Sequence, residues 1–225
     1  MKTILAANAV MAALCMSACA VRAAESRVYE RDGYTLDFQD AAGTTDQALA
    51  DRMAETFFAV YPRLAADFNS QAPRRVTFIM DPALQGVAGT DGDIVVYSSA
   101  YFAAHPGDID VVTHEIMHVV QAYGDNDVPG WLVEGVADYA RQVYGVDNAG
   151  GGWSLPAFSP DQRREAGYRG AARFLVWLES HGHSGVVKTL DARMRDGTYS
   201  EQDWQIVTGK TLPELWAAYA AAPEL

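Results

Sequence analysis

The sequence predicts an α+β fold, in which a small mixed sheet packs beside a helix carrying His114-Glu115-Ile116-Met117-His118 and a helical C-terminal part closes over it. Three observations lead there. Segments with strand-like alternation fall between residues 27 and 98, whereas the periodic segments after residue 110 repeat near 3.6 residues. No shift in composition divides the chain, and 225 residues with 49% hydrophobic content can bury one sizeable core. Lastly, two histidines four apart share one face of a helix, so that helix is expected to have a wall of its own to line.

The elements follow in order. Lys2 precedes an apolar run, Ile4 to Met16, that ends in small residues: a secretory signal peptide over 1–23, too short to span a membrane. Cleavage could follow Ala20 or Ala23. Met16-Ser-Ala-Cys19 also has the form of a bacterial lipobox, which would acylate Cys19 and leave an N-terminal lipid anchor. Every route implies export, to the periplasm or beyond. Residues 24–225 are then expected to form a single catalytic domain, without a disulfide because Cys15 and Cys19 both precede it.

Arg27 to Phe38 reads as one or two strands through Val28, Tyr34, Leu36 and Phe38. Asp46 to Asn69 is a helix with the stripe Leu49, Met53, Phe57, Val60 and Leu64, capped by Thr45 or Asp46 and interrupted by Pro62, a candidate kink. Strands follow at Arg75–Met80 and, after the turn Asp91-Gly92-Asp93, at Ile94–Ser98. Asp110 to Tyr123 is helical: Val112, Ile116, Val119 and Tyr123 form its apolar stripe, the histidines take another face, and Asp108 and Asp110 sit at its N-terminal end.

The next helix, from Pro129, sets Glu134, Asp138 and Arg141 on one face and leaves Leu132, Val136, Tyr139 and Val143 to pack. Small residues at Gly135 and Ala137 are expected to let it approach the histidine helix. Residues 145–160, with three consecutive glycines and two prolines, are a loop, either an ordinary connection or a lid. Helices are expected near 164–180, 184–196, 201–208 and 212–221, with Phe174, Trp177, Trp204, Trp216 and Tyr219 as core. His181 and His183 flank Gly182 in a turn and read as exposed.

Imidazoles at i and i+4 can grip one Zn²⁺ ion, and Glu134, on the following helix, is long enough to supply a third ligand. Asp138, one turn on, is placed to accept the free ring N–H of a ligating histidine. Glu115, beside the metal, can take the proton of an attacking water, which is the apparatus of a metallopeptidase. The net charge of −12 argues against nucleic acid or an anionic membrane surface as partner.

Four runs carry a resemblance. They are Gly86-Val-Ala-Gly-Thr-Asp-Gly-Asp-Ile-Val-Val-Tyr-Ser; His-Glu-Ile-Met-His-Val-Val-Gln; Pro-Gly-Trp-Leu-Val-Glu-Gly-Val-Ala-Asp-Tyr-Ala-Arg; and Gly167-Tyr168 with Ala171-Ala-Arg-Phe-Leu. Together they resemble the basic secretory protein family of plants, fungi and bacteria, regarded as zinc metallopeptidases of the gluzincin type. The likeness runs from about Asp46 to Tyr219.

The resemblance implies a gluzincin-like fold, peptide or protein substrates, His114, His118 and Glu134 as zinc ligands and Glu115 as general base. It also points to Tyr168 as a donor to the oxyanion, beside the alternative of a buried tyrosine bonding backbone. In gluzincins the strand before the metal helix is commonly an edge that pairs with extended substrate, so Ile94–Ser98 is either that edge or an ordinary sheet member. The acidic charge is a departure from a family named for basic members. A zinc hydrolase of cell-wall or glycosylated peptides is the alternative enzyme, and a non-catalytic zinc-containing binding protein the alternative outside catalysis. A scaffold would have no need of Glu115.

Overall fold

A computed structural model describes residues 25–163, 165 and 167–225. The signal segment, the lipobox and both cysteines lie outside the described residues.

The N-terminal segment forms two strands, β1 (Glu25–Arg31) and β2 (Tyr34–Asp40), joined by Asp32 and Gly33 at φ 51° and 78°. Two consecutive left-handed residues are what a tight hairpin turn requires, and Asp-Gly supplies them at least cost. Helix α1 (Gln47–Phe68) is capped by Asp46, whose side chain accepts from the Ala48 amide, and it runs unbroken through Pro62. Strands β3 (Arg75–Asp81), β4 (Ala88–Asp91) and β5 (Ile94–Ser98) complete a sheet of order β1-β2-β3-β5-β4. The β2–β3 and β3–β5 pairs are parallel, and the hairpins β1–β2 and β4–β5 antiparallel.

That order decides between the two readings of Ile94–Ser98 in favour of the ordinary sheet member. Ile94–Ser98 lies inside the sheet, and the edge on the functional side is β4. The reason is visible in the residues: Val95 and Tyr97 are fully buried, as suits a strand paired on both sides, whereas Ala-Gly-Thr-Asp offers no bulky face to cover.

The sheet buries Leu36, Phe38, Val76, Phe78, Val95 and Tyr97, and Phe57 of α1 meets Phe78 edge-on at 5.8 Å. A short helix α2 (Ser99–Ala104) leads to α3 (Val111–Gln121), whose Val112, Ile116 and Val119 are buried. Asp110 stands at the N-cap position of α3 without a side-chain bond to the helix amides, and its buried carboxylate accepts from Thr113 Oγ1 at 2.7 Å.

Helix α4 (Gly130–Tyr144) buries Leu132, Val136 and Tyr139, but Val143 is 48% exposed because Ala140, Arg141 and Tyr144 take the inner face at that end. Gly135 does not serve the approach to α3. A Cβ there would lie 2.8 Å from Cβ of Ala171, so this glycine admits α5 (Tyr168–Ser180) instead. The cause is helical geometry: the residue after Glu134 points about 100° round the axis, away from the face that looks at α3.

Beyond α5 come α6 (Val186–Arg195), α7 (Gln202–Thr208) and α8 (Leu212–Ala221), the last closed by a capping box between Thr211 and Glu214. Phe174, Trp204 and Tyr219 are fully buried together, so the C-terminal aromatic residues build core. His181 is exposed and stacks on Trp177, while His183 is half-buried. Among the described residues no helix is long and apolar enough to cross a membrane.

Candidate metal centre

Helix α3 presents His114 and His118 with their rings 4.9 Å apart and their Nε2 atoms 3.2 Å apart. Helix α4 brings Glu134 Oε2 to 3.3 Å from His114 Nε2 and 3.7 Å from His118 Nε2. Each ring is held from behind. His114 Nδ1 lies 2.7 Å from Asp138 Oδ1, and His118 Nδ1 lies 2.6 Å from Gln121 Oε1. An acceptor behind each Nδ1 places the proton there and leaves the Nε2 lone pair facing inward. Gln121 is itself fixed, because its amide donates to the Val133 carbonyl at 2.9 Å.

One donor atom from each of His114, His118 and Glu134 lies within 4.8 Å of the others, a set of two nitrogens and an oxygen that could hold one metal ion. Electrostatics argue for a cation as well. Burial pushes His114 down, yet its bonds to Asp138 and Glu134 outweigh this and lift it to about 10. Burial alone would raise Glu134, but the two imidazoles bring it down to about 2. Both shifts run in the direction that carboxylates facing imidazoles produce, a surrounding that favours positive charge, and two imidazole nitrogens with one carboxylate oxygen are a donor set that fits zinc.

Glu115 is 7% exposed and sits beside the cluster, where the Thr90 hydroxyl of β4 donates to its Oε2 at 2.7 Å. Both line a cleft of about 1350 Å³. One wall consists of β4 and α3, and the other of Gly151–Trp153, Tyr168 and Arg169.

This second wall is fastened by polar groups. The Asp110 carboxylate accepts from the amides of Val146 and Asp147 at 2.8 and 2.6 Å. Buried Arg141 pairs with Asp108, bonds Asn148 and lies under the Trp153 ring at 4.6 Å. The loop at 145–160 is therefore anchored over its first half, as a structural connection would be.

Tyr168 opens α5 at φ 48°, directly after Gly167 at φ 68°. A Cβ on Gly167 would come within 3.6 Å of the Trp131 backbone, so the turn lies against the first residues of α4. The Tyr168 ring stands parallel to that of His114, 6.3 Å away, and the residue is 56% exposed. The expected alternative of a buried tyrosine is thereby removed. The negative charge of Glu134, more than burial, raises the Tyr168 phenol above its ordinary value.

Two residues of this centre, Gln121 and Thr90, lie within runs that carry the resemblance yet receive no role from the sequence. Gln121 stands three residues after His118, on the same helix face, and that spacing could have found it. Thr90 lies 25 residues from Glu115, and only the sheet order brings the two together.

A histidine-bearing helix and a carboxylate helix, lining a cleft beside a sheet edge, define a gluzincin-type domain. Residues 26–219 match the family described as peptidases of plants and bacteria, and the chain belongs to this basic secretory protein family. The fold is similar to that of a mutant M1 zinc metallopeptidase from Deinococcus radiodurans bound to a Tyr-Ser-Ala substrate, at 16% identity and a TM-score of 0.50 over 88% of this chain and 51% of that one. A second structure of the Deinococcus radiodurans M1 zinc metallopeptidase is similar at 14% identity and 0.48 over the same shares. The chain spans about half the length of these proteins. No curated protein matches it in sequence.

Proposed function

We propose that the protein is an exported zinc metallopeptidase that hydrolyses peptide bonds in this cleft. The observation that carries the reading is the conjunction, on one cleft floor, of a three-donor cluster with a flanking carboxylate that is itself held by a neighbour. His114, His118 and Glu134 would hold the zinc, which when bound supplies a Lewis acid that polarises the scissile carbonyl and makes water more acidic.

The remaining chemistry belongs to the chain. The outer edge of β4 offers backbone groups to an extended peptide. Glu115 accepts a proton from water as its oxygen attacks the carbonyl carbon, then delivers that proton to the amine nitrogen as the C–N bond breaks. Tyr168 donates its hydroxyl hydrogen to the oxyanion from the far wall, and Asp138 and Gln121 hold the Nδ1 protons that keep both imidazoles turned inward. The Deinococcus protein's Tyr-Ser-Ala substrate makes short peptides reasonable first probes. Export rests on the sequence of residues 1–23, where either signal cleavage or acylation at Cys19 would deliver the domain outside.

The test is cleavage profiling of a proteome-derived peptide mixture by the zinc-loaded protein, beside Glu115→Ala and the double variant His114→Ala, His118→Ala. Wild type should cleave and bind about one zinc per chain; Glu115→Ala should keep the metal yet lose hydrolysis by roughly 10²- to 10⁴-fold. The double variant should lose the metal. Full zinc retention there, or near-normal cleavage by Glu115→Ala, overturns the assignment.

A further inference from the structure

Glu115 poses a mechanical problem that the two ligating histidines do not. Each imidazole is short and held at Nδ1, whereas a glutamate has three rotatable bonds and must present one oxygen to water on every turnover. Among the described residues a single side chain bonds its carboxylate: Thr90, whose hydroxyl lies 2.7 Å from Oε2 and 3.2 Å from the Glu115 carbonyl oxygen. A hydroxyl has one proton to give, and the nearer, charged acceptor takes it.

We infer that Thr90 is a positioning residue for the proton transfer, holding Glu115 Oε2 against the sheet edge so that Oε1 is the oxygen presented to the cleft. The inference rests on the metallopeptidase reading given above and deepens it.

The placement of Thr90 comes from the strand. Along β4, Ala88 and Thr90 are half-buried while Gly89 and Asp91 are exposed, so the alternation of the strand turns Thr90 towards α3. Antiparallel pairing of Thr90 with Val95 sets its height over the helix. Its β-branch restricts χ1, so the hydroxyl loses little freedom in making the bond. The strand whose outer edge would receive substrate therefore also steers the base, and the two halves of the reacting pair are referred to one element.

Orientation and basicity make opposite demands here. A donor to a carboxylate favours its charged form and weakens it as a proton acceptor. If the bond served only to temper basicity, its removal would speed proton abstraction; if it aims the carboxylate, removal slows turnover. The sign of the change in kcat separates the two.

The experiment compares Thr90→Val, Thr90→Ala and Thr90→Ser with wild type as zinc-loaded proteins on a fluorogenic peptide, with zinc content and thermal midpoint measured alongside. Crystal structures of wild type and Thr90→Val complete it. Thr90→Val and Thr90→Ala should lower kcat about tenfold per zinc-loaded molecule, with KM changed by less than about twofold, and Thr90→Ser should recover most of the loss. Equal or faster turnover in both hydroxyl-free variants, or no recovery with serine, overturns the inference. So does a Glu115 carboxylate that keeps its wild-type position in the Thr90→Val crystals, whatever the rates. Absence of Glu115-dependent hydrolysis in wild type would strike the metallopeptidase reading instead, and the crystal comparison would still decide the orientation claim.

Discussion

The two walls of the cleft are built by different means. On one side, β4, α3 and α4 set Thr90, Glu115, His114, His118 and Glu134 on regular backbone, and each polar group finds its partner through the repeat of a helix or the pairing of a strand. On the other side, Gly151–Trp153 and Tyr168 ride on irregular chain, fastened by the carboxylates of Asp108 and Asp110, by Arg141, and by two successive residues of positive φ at 167 and 168. Regular structure places ligands to a fraction of an ångström because neighbours share the work. Irregular chain can place a side chain as well, but through particular side-chain anchors and not through a backbone repeat.

Tyr168→Phe tests the irregular wall at its chemically active point. It deletes one hydroxyl from a ring that is largely exposed, so packing should survive. Loss of an oxyanion donor should lower kcat about 10²-fold with KM and thermal midpoint little changed. Unchanged kcat in steady-state assays would remove the far wall from the chemistry and leave the contrast purely architectural.

Within the regular wall the two histidines are supported unequally, by the carboxylate Asp138 from another helix and by the neutral amide Gln121 from their own. Asp138→Asn should weaken zinc affinity or turnover by roughly 10- to 100-fold, because His114 loses a charged acceptor. Gln121→Ala should cost less, since the acceptor lost is neutral. Competition titrations with a zinc chelator would show the ranking. Equal losses from the two variants would mean that charge adds nothing to support from behind.

Legibility in the sequence follows the same division. The 3.6-residue repeat places His114 and His118 together, and puts Glu134 and Asp138 on one face of the next helix, before any coordinates exist. The C-terminal aromatic residues read as core for the same reason. What escapes is whatever depends on partners distant in sequence. Ala88–Asp91 lacks the bulky alternation that announces a strand, so β4 goes unread, the edge stays an open choice at Ile94–Ser98, and Thr90 receives no role although it lies within a run that carries the resemblance. Gly135 was legible as a close approach but not as to which helix, because two neighbours compete for a short residue. The anchoring of 145–153 joins loop amides to Asp110, more than thirty residues earlier, and the side chains of Asn148 and Trp153 to Arg141, which is itself paired with distant Asp108, so no local pattern encodes it.

The smallest effect expected is also the most specific to the irregular wall. Gly167 holds φ 68°, and a Cβ there would meet the Trp131 backbone at 3.6 Å and Glu134 Cβ at 3.8 Å, which are ordinary contacts. Space is thus available to alanine and the penalty is conformational. Its ψ of −158° puts it in a region that essentially only glycine occupies, so holding alanine there costs at least about 1 kcal/mol, enough to lower the thermal midpoint of a domain this size by roughly 2 to 4 °C or more. Gly167→Ala should therefore leave zinc content intact, since all three candidate ligands lie on α3 and α4. If alanine relaxes towards right-handed backbone, the Tyr168 ring moves off the His114 ring, and kcat should fall towards that of Tyr168→Phe while the midpoint drops by less. If alanine accepts the glycine conformation, the midpoint falls and kcat per folded molecule stays. Measuring both on one sample reads which the chain prefers; loss of zinc from this variant would show that the two walls are not mechanically separate.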